Sequence, residues 1–186
     1  MDEKAAQPAP ARADEARPSL VIVVMGVAGC GKSAVGEALA EALGAGFVEG
    51  DRLHPPENVA RMASGEPLTD ALRAGWLDAI GQRIAASVAG GQSVVAACSA
   101  LKRSYRDRLR GFCGDIVFVY LEIGRETARQ RVGHRKGHFM PASLVDSQFA
   151  ILEAPAPDEH ALTLDGTGSI SDIVTGTVGL LGGKTL

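Results

Sequence analysis

Eight consecutive residues, Gly26-Val27-Ala28-Gly29-Cys30-Gly31-Lys32-Ser33, satisfy the pattern G-x-x-x-x-G-K-[ST] in full. Each residue type has a physical task in that pattern. The glycines let the backbone curl round a phosphate chain and turn its N–H groups inward. Lys32 supplies a mobile positive charge for the outer phosphates, and the Ser33 hydroxyl is an oxygen ligand of the kind Mg²⁺ prefers. The run is read as a phosphate-binding loop, with Ser33 as its metal ligand.

Such a loop serves kinases, GTPases and transport ATPases alike, so other residues must separate them. Guanine recognition uses an N-K-x-D segment, whereas Asn58 is the only asparagine here and is followed by Val59. Motor and transport ATPases place a metal-binding Asp at the end of an apolar strand; the corresponding run, Ser93 to Ala97, ends at Cys98-Ser99. A small-molecule kinase using Mg²⁺ and ATP fits better. It needs a carboxylate to take the acceptor's proton, cations to neutralise the transferred phosphoryl group, and a lid to exclude water. Asp51 is the expected base, and His54 is placed to bind substrate hydroxyls. Arg131 and Arg135, one helical turn apart, are expected to clamp the phosphoryl group with Lys32, and Arg129 and Lys136 lie nearby. His138 belongs to the same basic segment. Lys102, Arg103 and Arg106 could meet an anionic substrate. Cys30 lies beside Lys32 at a helix start, so a reactive thiolate is expected there, whose modification would block ATP binding.

These residues require an α/β scaffold. Leu20 to Met25 is a continuous apolar run, as expected of a strand buried on both faces of a parallel sheet. A helix follows the loop and stops at Gly44 and Gly46. Phe47-Val48 forms a short second strand that puts Asp51 on the same sheet edge as the loop. Two helices then follow without an intervening strand, one starting near Pro56 and one over about Arg73 to Ala89. This insertion, about residues 52–90, is expected to hold substrate. Strands at Ser93–Ala97, Ile116–Leu121 and Ala161–Leu164 complete a five-stranded parallel sheet. Helices are expected near Lys102–Arg110, Arg125–Val132, Pro141–Leu152 and Ile170–Leu181, with a basic lid at about 133–141.

The length of 186 residues suits one domain, here 19–186, behind a Pro- and Ala-rich disordered leader, 1–18. A net charge of −3 gives no general attraction to nucleic acid. No run approaches the ~20 apolar residues of a membrane span. Cys30, Cys98 and Cys113 are an odd set without metal-ligand spacing, which suits a reduced, cytoplasmic setting.

Several segments in order resemble one family. They are the phosphate loop, Gly50-Asp51-Arg52-Leu53-His54-Pro55, Met62-Ala63-Ser64-Gly65-Glu66-Pro67-Leu68, Trp76-Leu77, Cys98-Ser99-Ala100-Leu101-Lys102, Tyr105-Arg106-Asp107, Arg135-Lys136-Gly137-His138-Phe139, Ser147-Gln148-Phe149 and Leu152-Glu153-Ala154-Pro155. From about Val21 to Leu181 the chain resembles the gluconate kinases, P-loop kinases with a three-layer fold related to shikimate and adenylate kinases. The resemblance implies a homodimer that phosphorylates D-gluconate at its 6-hydroxyl with ATP, giving 6-phospho-D-gluconate and ADP. It implies a substrate-binding set of Asp51, His54, Ser99, Lys102, Arg106, His138 and Gln148. A kinase for another small hydroxy-acid such as shikimate, and a non-catalytic ATP-binding regulator, are the alternatives. The chain departs from the family pattern at Ala71, Leu72 and Gly75. Gly75 stands where the family carries proline, and the departure is expected at a helix start, with an effect on substrate affinity.

Overall fold

The computed structural model describes residues 19–134 and 143–183. Five strands, β1 (Val21–Met25), β2 (Gly46–Glu49), β3 (Val94–Ala97), β4 (Val117–Glu122) and β5 (Leu162–Asp165), form one sheet in the order β2-β3-β1-β4-β5. All four pairings are parallel. Every residue of β1 is buried, because β1 is the central strand with β3 and β4 hydrogen-bonded to its two edges. Its alternate side chains face opposite layers. Ile22 and Val24 join a core with Val35, Leu39 and Leu181, while Val21, Val23 and Met25 join one with Trp76, Ile80, Leu109 and Phe118.

The outer layers are helices. On one face lie α1 (Lys32–Leu43), α5 (Arg125–His134) and the last helix, α7 (Ile170–Gly183). On the other lie α3 (Asp70–Ala89) and α4 (Arg103–Cys113). A short helix, α2 (Pro56–Ala63), precedes α3, and α6 (Ser143–Ile151) follows α5. The three-layer α/β architecture and the five-stranded parallel sheet agree with the sequence reading. The chain passes from β1 to β2 on one side of the sheet and reaches β4 on the other, which opens a crevice at the carboxyl end of β1.

One helix start differs from expectation. Thr69 caps α3 by accepting from the Leu72 N–H at 3.3 Å, so the helix begins at Asp70 rather than Arg73. Gly75 therefore lies beyond the first helical turn, inside α3. It is exposed, and an added methyl group would meet nothing within 4 Å. Gly75→Ala is expected to raise stability by about 0.5–1 kcal/mol by restricting the unfolded chain. Urea denaturation checks this; a lower midpoint would show that glycine is needed there for another reason.

The expected leader, 1–18, lies outside the described residues. So do Arg135, Lys136, His138 and Pro141 of the expected lid and the start of the helix after it. Among the described residues no helix is long and apolar enough to cross a membrane.

Candidate active site

The phosphate loop leaves the buried end of β1 and enters α1 at Lys32. Gly31 makes that entry with a φ of 99°, a left-handed backbone that a side chain would strain. The loop is braced from three sides. The Gly26 N–H donates to the Ser99 carbonyl after β3 at 3.3 Å, and the Ala28 N–H donates to Gln148 Oε1 of α6 at 2.7 Å. Arg131 of α5 donates to the Gly166 carbonyl at 2.8 Å and to Gly29 at 3.4 Å. Lys32 Nζ donates to the loop's own Val27 carbonyl at 3.1 Å.

Asp51 reaches this loop from the end of β2, within a 3₁₀ turn, Gly50–Leu53. The turn is held against the sheet because Gly50 has no side chain; a methyl there would collide with the Ala97 carbonyl oxygen of β3. Trp76 Nε1 donates to the Gly50 carbonyl at 2.8 Å, and Glu49 Oε1 accepts from the Asp51 N–H at 3.2 Å. The backbone on both sides of the carboxylate is thereby fixed.

Two clefts meet here. One is lined by Gly29, Gly31, Lys32, Ser33, Asp51 and Arg131, the groups expected to meet a phosphate chain. The other is lined by Lys32, Asp51, His54, Ser99 and Gln148, with Arg73 and Ser147 and an apolar wall of Met62, Pro67, Leu68 and Leu144. Lys32 and Asp51 belong to both. The oxygens of Ser33 and Asp51 share the first cleft, and no group of three His, Cys, Asp or Glu among the described residues could cage a metal. That donor set fits Mg²⁺, which usually takes one or two protein oxygens and completes its shell with phosphates and water.

His54 stacks on Trp76, with ring centroids 4.2 Å apart and planes 11° from parallel. Burial pushes its pKa down to about 4, and Arg73 adds to the shift while Asp51 opposes it. The ring is therefore neutral at neutral pH. Its Nδ1 is buried and has no hydrogen-bond partner among the described residues, which suits it to a sugar hydroxyl.

Two residues of the expected substrate set are not brought to the cleft. Lys102 pairs with both oxygens of Asp70, at 2.8 and 2.7 Å, which also accepts from the Tyr105 hydroxyl. Arg106 is 0% exposed and forms a two-pronged pair with Glu159, Nε to Oε2 at 2.6 Å and Nη2 to Oε1 at 2.7 Å. Its Nη1 donates to the carbonyls of Ala100 and Glu153. The correction has a plain physical reason: all three guanidinium nitrogens are already engaged inside the protein. The hydrogen bonds from Arg106 hold the Glu159 pKa down at about 2. The ionised carboxylate's stabilising contribution is thus full above its ordinary value of 4.5 and is lost as pH falls towards about 2. Arg129 likewise lies away from the clefts, paired with Asp146 of α6 at 2.6 Å.

Cys30 also departs from expectation. It is 1% exposed, and burial pushes its thiol up by more than Lys32 pulls it down, so it is a packed core side chain and not a reactive thiolate. Cys98 is fully buried and pushed up to about 12.

Sequence reasoning missed Arg73. It is 6% exposed and lines the second cleft, with Nε donating to the Leu68 carbonyl at 3.3 Å. Its signal was its place three and four residues before Trp76 and Leu77, which puts it on the same buried face of α3.

Comparison with known proteins agrees with this geometry. A family model described as an AAA domain matches residues 21–155. The gluconokinase of Gluconobacter oxydans is 49% identical over 145 residues, covering 78% of this chain and 82% of that protein. The crystal structure of a gluconokinase from Sinorhizobium meliloti superposes with a TM-score of 0.76 at 49% identity, over 86% of this chain and 89% of that one. A sugar kinase from a Janibacter species superposes with a TM-score of 0.84 at 41% identity, over 88% and 95% of the two chains. With its phosphate loop, its paired clefts and this likeness over most of its length, the chain belongs to the gluconokinase family of P-loop kinases.

Proposed function

We propose that the protein transfers the γ-phosphoryl group of ATP to the 6-hydroxyl of D-gluconate, giving 6-phospho-D-gluconate and ADP. The observation that carries this reading is that the phosphate cleft and the acceptor cleft share Lys32 and Asp51. A reacting hydroxyl and a terminal phosphate must meet at groups belonging to both. Residues Gly26 to Ser33 hold the nucleotide phosphates through backbone N–H groups at the start of α1. Asp51 orients the acceptor hydroxyl and takes its proton as the new P–O bond forms and the bond to ADP breaks. Lys32 and Arg131 balance charge on the transferred group. Ser33 would hold Mg²⁺, which supplies further charge neutralisation on the phosphates. His54 and Ser99 line the acceptor cleft with hydrogen-bonding groups for the sugar-acid hydroxyls.

Gln148 belongs to the acceptor cleft as a brace as well as a wall, because its Oε1 holds the Ala28 N–H of the phosphate loop. Arg135 is assigned to the phosphoryl clamp by its spacing of one helical turn from Arg131, and His138 to the acceptor by the resemblance. The reading also includes a homodimer, supported by the same resemblance, and a cytoplasmic setting, supported by the unpaired cysteines. No nucleic-acid or membrane partner is proposed.

The test is ADP release by the purified protein with Mg²⁺-ATP and, in parallel, no acceptor, D-gluconate, shikimate or AMP. Release that rises only with D-gluconate is expected. A rise with shikimate alone would move the substrate elsewhere within the hydroxy-acids, and ATP binding with no acceptor-dependent release would indicate a non-catalytic regulator.

A further inference from the structure

An arginine taken out of water keeps its charge and needs a partner for it. Arg106 has Glu159, but Arg73 has none among the described residues. Its Nε is satisfied by the Leu68 carbonyl, and no carboxylate of the described residues forms an ion pair with it. The nearest acid in sequence, Asp70, is occupied by Lys102 and Tyr105. The Tyr105 ring lies 6.0 Å from the guanidinium centre, a contact too weak to replace an anion. Arg73 is nevertheless held rigidly, on the first turns of a helix capped by Thr69, and it lines the acceptor cleft.

We propose that Arg73 is the carboxylate anchor of the acceptor, and that it makes the enzyme select a sugar acid over the corresponding neutral polyol. The proposal rests on D-gluconate being the acceptor. Lys32 and Asp51 line both clefts, whereas Arg73 lines only the acceptor cleft. An acceptor whose hydroxyl sits at the shared pair would meet Arg73 with its carboxylate inside the same cleft, and Arg73 is not among the groups lining the phosphate cleft. The planar guanidinium fork suits a carboxylate, since two parallel N–H donors can meet its two oxygens. The apolar wall of Met62, Leu68 and Leu144 would strengthen the pair by excluding water.

The experiment compares D-gluconate with D-glucitol, which keeps the hydroxyl chain and replaces the carboxylate with CH₂OH. It measures kcat/KM for each acceptor, and KM for ATP, in wild type, Arg73→Met and Arg73→Lys. Wild type is expected to prefer gluconate. In Arg73→Met, kcat/KM for gluconate is expected to fall on the order of 100- to 1,000-fold, mainly through KM. The glucitol value should fall far less, so the ratio between acceptors collapses, and Arg73→Lys should recover part of it. KM for ATP and the melting temperature report any general damage to the fold. Equal losses for both acceptors, an unchanged gluconate KM in Arg73→Met, or a wild type indifferent to the carboxylate would overturn the proposal. A wild type that releases no gluconate-dependent ADP would overturn the substrate assignment itself, a different result.

Discussion

Asp51→Asn is expected to lower kcat by about 10²–10⁴-fold, the range for removing a positioned general base. Asparagine matches aspartate in size, and its amide cannot take the proton of the acceptor hydroxyl. The surrounding geometry should survive, since the turn is held by the Trp76-to-Gly50 hydrogen bond and by the packing of Gly50 on β3 rather than by the Asp51 side chain. The melting temperature should therefore stay close to that of wild type. Steady-state kinetics with both substrates saturating, read beside a thermal melt, checks this. A variant that keeps full turnover would remove Asp51 from the chemistry and leave it as a residue that shapes the turn.

Lys32→Met is expected to lower kcat by about 10²–10³-fold, as for removal of one donor that stabilises developing charge. It should also raise KM for ATP. Methionine keeps much of the apolar stem and deletes only the ammonium. The loss should appear in both parameters because Lys32 borders both clefts, where the phosphoryl group starts and where it ends. In the structure Lys32 Nζ rests on the Val27 carbonyl, which also accepts from the Cys30 N–H at 3.3 Å, so the variant removes one of that carbonyl's two donors. A rise in KM with kcat intact would show that Lys32 only binds nucleotide and takes no part in the transition state.

How far the sequence was legible follows from the range over which each feature is encoded. The strand, loop and first helix are local, so periodicity and glycine spacing sufficed for them. Asp51 was legible because a short strand delivers it to the loop's own edge. Arg106 was not, because its partner Glu159 is 53 residues away and no local pattern announces it. A signal did exist on its own helix: Arg106 lies beside Tyr105 and one turn before Leu109, and all three face inward. The helix was read for its charge and not for its buried stripe. Arg73 was missed for a related reason: it lies three and four residues before Trp76 and Leu77 on the buried face of α3, and its charge kept it from being read as part of that stripe. The hydrogen bond from Ala28 to Gln148 joins residues 120 apart and could only come from the fold.

The stacking of His54 on Trp76 has a consequence for the conditions under which the enzyme works. With its pKa pushed down to about 4 by burial, the His54 ring stays neutral at pH 6. An ordinary imidazole would be mostly charged there. The acceptor side of the active site thus presents the same hydrogen-bonding face from neutral conditions down through mild acid.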